Sequence, residues 1–210
     1  FLVIMLCTSI LLSVSVIKVF PVQAQSTVDE WPMFHHDLTH TGYSTSPGIP
    51  TNATLWNYQL PNAVFSSSAV AGGLVYVGSD DYNIYALDAL TGALVWNYTT
   101  GSYVDSSPAV ANGVVYVGSY DGNVYALNAS TGGYLWNYTT GSFVESSPTV
   151  AGGLVYVGSD DGNVYALDAL TGAWVWSYAT GDFVVSSPAV ASGIVYVGSD
   201  DSNVYALDAL

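Results

Sequence analysis

Carboxylates are the side chains in this sequence that are best suited to binding or catalysis, and they recur in short, turn-like runs. Asp80-Asp81, Asp160-Asp161 and Asp200-Asp201 occupy equivalent positions of a repeat of 40 residues. Carboxylate oxygens are the ligands that Ca²⁺ prefers in proteins. We therefore single out Asp105 and Glu145, which begin two of the repeated apolar segments, as candidates for a calcium site. The alternative is that Asp recurs because its side chain bonds the backbone ahead and so forms turns.

The remaining nucleophiles and imidazoles form no recognisable catalytic set. Cys7 is the only cysteine, so we expect neither a disulfide framework nor a thiolate metal site. His35, His36 and His40 lie near Asp37, but their spacing matches no known set of metal ligands. We expect these histidines to have a structural role, and we predict no catalytic residue.

The charge balance restricts the possible partners. The formal net charge is −15, and Lys18 is the only Lys or Arg. A nucleic acid or an anionic membrane surface would therefore meet almost nothing that neutralises its phosphates. We expect a protein or glycan partner and no nucleic acid.

The N-terminal part differs in composition from the rest. Residues 1–17 are mostly apolar and Val22-Gln23-Ala24 suits cleavage, so we interpret residues 1–24 as a signal peptide that lacks its basic start. An uncleaved membrane anchor is the alternative, since the apolar stretch approaches a spanning length. Both predict that the remainder is secreted or lies at the cell surface. Residues 25–53 form a lead-in segment, and the chain is expected to be part of a longer protein because it ends within a repeat.

Sequons for N-glycosylation fit this extracytoplasmic location. Asn97 and Asn137 occupy the same position of two repeats; chance in a sequence rich in Asn, Ser and Thr is the alternative. In a host that glycosylates, we predict modification at one or more of Asn52, Asn97, Asn128 and Asn137.

Residues 54–210 repeat every 40 residues, and each copy has four short β-prone segments separated by turn sequences. An antiparallel four-stranded unit with this period predicts an all-β fold, a β-propeller, with a β-solenoid as the alternative. We predict a partial ring of about four visible blades, with a lone fourth strand at 54–60, and a monomeric ring at full length. Closure of the visible blades into a four-bladed ring is the alternative. In the copy at 103–140 the segments are 106–111, 114–119, 123–127 and 134–139.

A motif that recurs in three complete copies, A-x-D-x-x-T-G-x-x-x-W with Asn128 at the Asp position of the second copy, resembles the tryptophan-docking motif of pyrroloquinoline quinone (PQQ)-type propellers. The segment from Trp31 to Gly42 also resembles the lead-in of such proteins. In this family the Trp of a fourth strand lies across the Thr-Gly turn of the adjacent blade, so the resemblance implies a packing role. The matching residues are Ala86, Thr91, Gly92 and Trp96, then Ala126, Thr131, Gly132 and Trp136, and then Ala166, Thr171, Gly172 and Trp176.

The resemblance implies two kinds of function. Some members are quinoprotein dehydrogenases that hold PQQ and Ca²⁺, with a Cys-Cys pair and a cationic residue at the quinone. Others are scaffolds in envelope assembly or surface proteins without a cofactor. Because the sequence has one cysteine and no Lys or Arg after Lys18, we expect no PQQ and predict a non-catalytic binding or scaffold module. The alternatives are a dehydrogenase whose cofactor residues lie in further blades, and an envelope-assembly scaffold.

Overall fold

The computed structural model describes residues 30–40, 42, 44 and 53–209. The predicted signal peptide, residues 1–24, and the sequon at Asn52 lie outside these residues. The described chain is all β, with fifteen strands and no helix, as the repeat predicts. Within this part of the chain, no helix is long and apolar enough to cross a membrane.

The strands form four antiparallel sheets, one for each repeat, in which the strand order follows the chain order. Three sheets have four strands and the last has three. We call each of these sheets a blade. Blade 1 contains β1 (Ala69–Ala71), β2 (Leu74–Gly78), β3 (Asn83–Asp88) and β4 (Leu94–Thr99). Blade 2 contains β5 (Ala109–Ala111), β6 (Val114–Gly118), β7 (Asn123–Asn128) and β8 (Tyr134–Thr139). Blade 3 contains β9 (Thr149–Ala151), β10 (Leu154–Gly158), β11 (Asn163–Asp168) and β12 (Trp174–Ala179), and blade 4 contains β13 (Ala189–Ala191), β14 (Ile194–Gly198) and β15 (Val204–Asp208).

Tight turns connect the strands of each blade, as the turn residues predict. Asn112 and Gly113, between β5 and β6, have φ of 51° and 77°, the left-handed conformation that a two-residue hairpin requires. The predicted first strand at 106–111 is too long, because the strand begins at Ala109. Pro108 has no N–H to donate, and Ser106 bonds to the next blade, where its Oγ donates to the carbonyl of Ser146 at 3.0 Å.

The hydrophobic core lies between the faces of consecutive blades. Between blades 1 and 2, Tyr76 and Ile84 pack with Val115 and Leu127, and all four side chains are almost fully buried. The hydroxyl of Tyr76 donates to the carbonyl of Ala129 at 3.2 Å. Each blade thus covers its neighbour, which is why an isolated repeat could not bury its own apolar face.

The lead-in segment crosses the inner edges of the blades. Trp31 forms an antiparallel bridge with Val70 of β1. Further along, the carbonyls of Pro32 and Leu38 accept hydrogen bonds from the backbone N–H groups of Val110 and Val190, at 2.6 and 2.9 Å. The segment therefore satisfies backbone donors of the innermost strands of blades 1, 2 and 4.

The described blades form an open arc. The innermost strands contact one another in chain order, β1 with β5, β5 with β9 and β9 with β13. Residues 54–60, predicted as a lone fourth strand, form no ladder with any described strand. They lie instead against blade 1, where Trp56 and Leu60 pack on Val77, Tyr85 and Leu87.

Candidate binding face

The turns between the second and third strands of the blades lie together with the connections between blades, and we call this surface the loop face. Antiparallel strand direction places both kinds of loop on one side of the arc. They are also bonded to each other: the N–H of Tyr120 donates to the carbonyl of Tyr103 at 3.0 Å, and that of Asp160 to Phe143 at 2.9 Å. The loop face contains most of the acidic residues that the sequence singles out.

The second Asp of each turn is a structural residue. Asp121 Oδ1 accepts the N–H of Asn123 at 2.9 Å. Its Oδ2 accepts the hydroxyl of Tyr125 and the N–H of Gly101, both at 2.7 Å. Asp161 has the equivalent contacts; burial raises its pKa, but these hydrogen bonds outweigh burial and lower it overall. These carboxylates link neighbouring loops through hydrogen bonds, and those bonds occupy the oxygens that a ligand would need.

The first Asp of the turn in blade 1 faces the predicted candidate Asp105. The two carboxyl groups lie close enough to interact, and burial, followed by the influence of Asp80, raises the pKa of Asp105 to about 6. One oxygen of each group, Oδ1 of Asp80 and Oδ1 of Asp105, is buried without a hydrogen-bond partner. Two carboxyl groups in contact are most stable when they share a proton, because both charges would repel.

Tyr120 connects this pair to the second candidate, Glu145. Burial, followed by interactions of its hydroxyl with Glu145 and Asp105, raises the pKa of Tyr120. Beyond it, burial and the charges of Glu145 and Asp200 raise the pKa of Asp160 to about 6. The candidates Asp105 and Glu145 are therefore brought into one row of acids across three blades, with a phenol between them.

This row is not arranged as a metal site. Among the described residues, no three His, Cys, Asp or Glu side chains are grouped so that they could hold a metal ion. Calcium binding by Asp105 and Glu145 stays a prediction.

The histidines of the lead-in segment pack individually against neighbouring groups. His35 stacks on Phe34 with ring centroids 4.0 Å apart, and His36 lies edge-on to Trp31 at 4.7 Å. His40 Nε2 lies 3.3 Å from Thr149 Oγ1, and burial lowers its pKa. His40 thus contacts blade 3, whereas His35 and His36 pack on aromatic rings of the segment itself.

A row of aromatic side chains runs across the loop face beside the acids. The rings of Tyr82 and Tyr103 are 5.2 Å apart, those of Tyr103 and Tyr120 6.0 Å, and those of Tyr120 and Phe143 5.0 Å. Tyr82, Tyr103 and Phe143 are each between 41% and 47% exposed. Contiguous exposed rings of this kind are typical of contact surfaces.

Sequence reasoning missed this aromatic row. A signal was available, because Tyr103, Phe143 and Phe183 occupy one position of the repeat. Tyr120 gave no such signal, since the equivalent turn positions of the other blades hold Asp. Only the fold shows that the turn position of Tyr120 lies next to the position that Tyr103 and Phe143 share.

The tryptophans of the motif contact the following blade. An added Cβ on Gly132 would lie 2.7 Å from Cε3 of Trp96, so the indole rests directly on this glycine. Nε1 of Trp96 also donates to the carbonyl of Ala129 at 2.8 Å. The equivalent contacts join Trp56 to Gly92 and Trp136 to Gly172. Around them, Ala86, Ala126 and Ala166 are fully buried, and Thr91, Thr131 and Thr171 donate their hydroxyls to Asp88, Asn128 and Asp168.

The three described sequons differ in their surroundings. Asn97 and Asn137 are exposed on the outer strands β4 and β8. Asn128 is half-buried in a turn, where its Oδ1 accepts the N–H groups of Ser130 and Thr131, each at 3.0 Å. Asn97 and Asn137 are therefore the more accessible of the predicted glycosylation sites.

A family model described as outer membrane protein assembly factor BamB matches residues 48–105 and 100–210. No curated protein sequence matches the chain significantly. Among solved structures, BamB from Moraxella catarrhalis aligns with a TM-score of 0.67 and 24% identity over 74% of this chain and 49% of its own. The quinohemoprotein alcohol dehydrogenase from Comamonas testosteroni aligns with a TM-score of 0.75 and 23% identity over 86% of this chain and 39% of its own. The chain thus spans about half the length of that BamB, and at these identities the structural similarity concerns the fold.

Proposed function

Because the chain belongs to the PQQ-like β-propeller repeat family whose model is described as outer membrane protein assembly factor BamB, we propose that it is a non-catalytic, extracytoplasmic binding module. It binds a protein partner, and the aromatic row of the loop face is the contact surface. The similarity to BamB supports a scaffold role, and the predicted signal peptide supports the location.

The observation that carries this proposal is the exposed aromatic row flanked by acids. Tyr82, Tyr103 and Phe143 offer apolar area that is already fixed by ring contacts, so little side-chain freedom is lost on binding. The neighbouring carboxylates favour partner segments that carry Lys or Arg, which can pair with acids and also lie over aromatic rings.

Quinone-dependent catalysis is not supported by the residues of the loop face. PQQ is itself a carboxylate, whereas the face presents Asp80, Asp105, Glu145 and Asp160, and the described residues contain no Lys or Arg. The charges would repel, so these residues do not fit the quinone. We therefore propose that the chain acts without PQQ.

A binding assay with a defined peptide array tests the proposal. Basic, neutral and acidic peptides are applied to the parent chain, to the double variant Tyr103→Ala with Phe143→Ala, and to a control, Tyr134→Ala with Trp174→Ala. The control residues are 53% and 56% exposed but lie on outer strands. We expect the loop-face variant to lose affinity for basic peptides by about tenfold or more, which equals about 1.4 kcal/mol, and the control to keep it.

Two results would contradict the proposal. The first is equal binding by the parent chain, the loop-face variant and the control. The second is alcohol oxidation by the chain after reconstitution with PQQ and Ca²⁺. Circular dichroism of each variant confirms that a loss of binding is not a loss of folding.

A further inference from the structure

A crevice opens between blades 2 and 3 on the side of the arc opposite to the loop face. Antiparallel strands place the first-to-second and third-to-fourth turns of every blade on this side. The crevice has a volume of about 470 Å³, which lies within the range of small-ligand pockets. The residues that line it are Asn112, Val114, Tyr116 and Leu135 of blade 2 and Gly153, Asp168, Ala169 and Leu170 of blade 3.

The rim of the crevice is apolar and exposed to solvent. Leu135 on β8 is 47% exposed, and Leu170 in the turn after β11 is 84% exposed. Val114 and Ala169 are half-buried and add further apolar surface. Apolar side chains around a concave surface gain free energy when a ligand removes them from water. The crevice therefore favours a ligand with an apolar body.

The carboxylate of Asp168 gives the crevice a negative charge. Its Oδ1 accepts the N–H and the hydroxyl of Thr171, at 2.8 and 2.7 Å, and the N–H of Leu170 at 3.1 Å. The bonds from Thr171, followed by that from Leu170, lower the pKa of Asp168, so the group is ionised at neutral pH. Burial, followed by the charge of Asp168, raises the pKa of Tyr116, so this charge acts at a residue inside the crevice.

The polar atoms of Asp168 and Tyr116 that remain for a ligand are acceptors. The turn bonds of Asp168 all use Oδ1, so Oδ2 can accept from a ligand. The hydroxyl of Tyr116 donates to the carbonyl of Ala169 at 3.0 Å, and its oxygen can therefore accept. The described residues contain no Lys or Arg that could neutralise the carboxylate. An ammonium group, which has three donors and a positive charge, complements this arrangement.

The neighbouring crevices are built differently. In the crevice between blades 1 and 2, the equivalents of Asp168 and Leu170 are Asn128 and Ser130. Glu30 and Pro32 of the lead-in segment line that crevice, and Leu38 lines the one between blades 3 and 4. Among the described residues, no part of the lead-in segment lines the crevice between blades 2 and 3.

The same turn occurs in blade 1 but faces other residues. Asp88 and Leu90 occupy the positions of Asp168 and Leu170. On the facing side the described chain has residues 53–60, of which Trp56 and Leu60 pack on blade 1. Among the three crevices between described blades, the one between blades 2 and 3 has both the carboxylate and the leucine on its walls.

We propose that the crevice between blades 2 and 3 is a binding site for a small cationic ligand, with an apolar body and one protonated amine. The body packs against Leu135, Leu170 and Val114, and the ammonium donates to Oδ2 of Asp168. The net charge of −15 attracts cations to the chain and repels anions. The site lies on the other side of the arc from the aromatic row, so it does not depend on the protein partner proposed for the loop face.

A series of three indole compounds tests the ligand class. Tryptamine carries an ammonium, tryptophol has a hydroxyl in its place, and indole-3-acetate carries a carboxylate. Titrations followed by saturation-transfer NMR give the affinity of the parent chain for each compound. We expect tryptamine to bind about fivefold more tightly than tryptophol, as one partly exposed ion pair allows, and indole-3-acetate to bind more weakly than both.

The variant Asp168→Asn tests the role of the carboxylate. Blade 2 has Asn at this position, where Oδ1 of Asn128 accepts the N–H groups of Ser130 and Thr131, each at 3.0 Å, so the turn tolerates the change. We expect the affinity for tryptamine to fall about fivefold and that for tryptophol to stay unchanged. Asp182→Asn, on the loop face, is the control: it changes the net charge equally, and we expect it to leave both affinities unchanged.

Leu170→Ser tests the apolar wall, and the residue that it introduces is the one that blade 2 has at Ser130. We expect this variant to weaken tryptamine and tryptophol by the same factor, because both compounds share the indole ring. The loop-face variant, Tyr103→Ala with Phe143→Ala, should bind tryptamine as the parent does. This separates failure of the crevice from failure of the proposed function.

Three outcomes would overturn the proposal. The first is a parent chain that binds none of the compounds or binds all three equally. The second is an Asp168→Asn variant that keeps the affinity of the parent for tryptamine. The third is an equal loss in Asp182→Asn, because the attraction would then come from the net charge rather than from the crevice. Thermal unfolding of each variant confirms that the fold is retained.

Discussion

Replacing Gly132 with Ala tests whether the indole of Trp96 joins blade 1 to blade 2. The added Cβ would lie 2.7 Å from Cε3 and 2.8 Å from Cδ2 of the ring, far inside the normal carbon contact. Trp96 must therefore move away from the turn, and its hydrogen bond to Ala129, now 2.8 Å, lengthens or breaks. Gly113→Ala is the matched control, since Gly113 also has a positive φ but an added Cβ there has no atom within 4 Å.

Gly132→Ala and Gly113→Ala both lose stability through backbone strain, but only Gly132→Ala also loses stability through contact with the indole. A non-glycine residue in the left-handed region costs about 1–2 kcal/mol at either position. At Gly132 the crowded indole adds about 1–3 kcal/mol, and a buried N–H without a partner adds about 1–3 kcal/mol. We therefore expect Gly132→Ala to lower the free energy of unfolding by about 3–8 kcal/mol and Gly113→Ala by about 1–2 kcal/mol.

Urea unfolding followed by circular dichroism measures both losses. In a Trp96→Ala background the indole is gone, so the same Gly132→Ala change should cost only about 1–2 kcal/mol. Equal losses for Gly132→Ala and Gly113→Ala, or strictly additive losses for Trp96→Ala and Gly132→Ala, would refute the inference that the indole contact stabilises the blade interface.

Two further predictions concern the acids of the loop face and the sequons. The folded-state pKa of Asp105 and of Asp160 is raised to about 6 from 3.8, so their contribution to stability is complete below pH 4 and is lost as pH rises through 6. Asp105→Asn should therefore flatten the fall in the urea midpoint between pH 4 and pH 7, and an unchanged slope would contradict this. In a glycosylating host, Asn97→Gln and Asn137→Gln should each remove one glycan-sized increment of mass, because both side chains are exposed; retention of all increments in the double variant would contradict it.

The blade itself was predictable from the sequence because its determinants are local. Asn112-Gly113 specifies a hairpin through the φ angles of two residues, and the alternation of Val and Tyr in β6 specifies a strand with two buried faces. The correct number of strands in each repeat follows from such signals alone. The first strand is shorter than predicted because Pro108 has no N–H to donate and Ser106 bonds to the next blade. The bond of Ser106 depends on that neighbouring blade and could not be predicted from local sequence.

The candidate site was predictable only in part. The turn position that holds Asp80 in blade 1 is also Asp in blades 3 and 4, but in blade 2 it is Tyr120, whose hydroxyl interacts with Asp105 and Glu145. Neither the interaction of Asp80 with Asp105 nor the stacking of Tyr120 on Phe143 has a sequence signature, because each contact crosses between blades.

The sequence by itself determined the repeat, the turns and the residues of the motif, since each depends on contacts within about 40 residues of chain. Only the tertiary structure divided the paired aspartates: Asp121 and Asp161 are bonded into the loops, while Asp80 and Asp160 face the neighbouring blade. It also decided that residues 53–60 lie outside every described sheet. The physical reason is the same in both cases: a side chain or strand edge is satisfied by whatever the next blade brings near it, and that depends on how the blades stack.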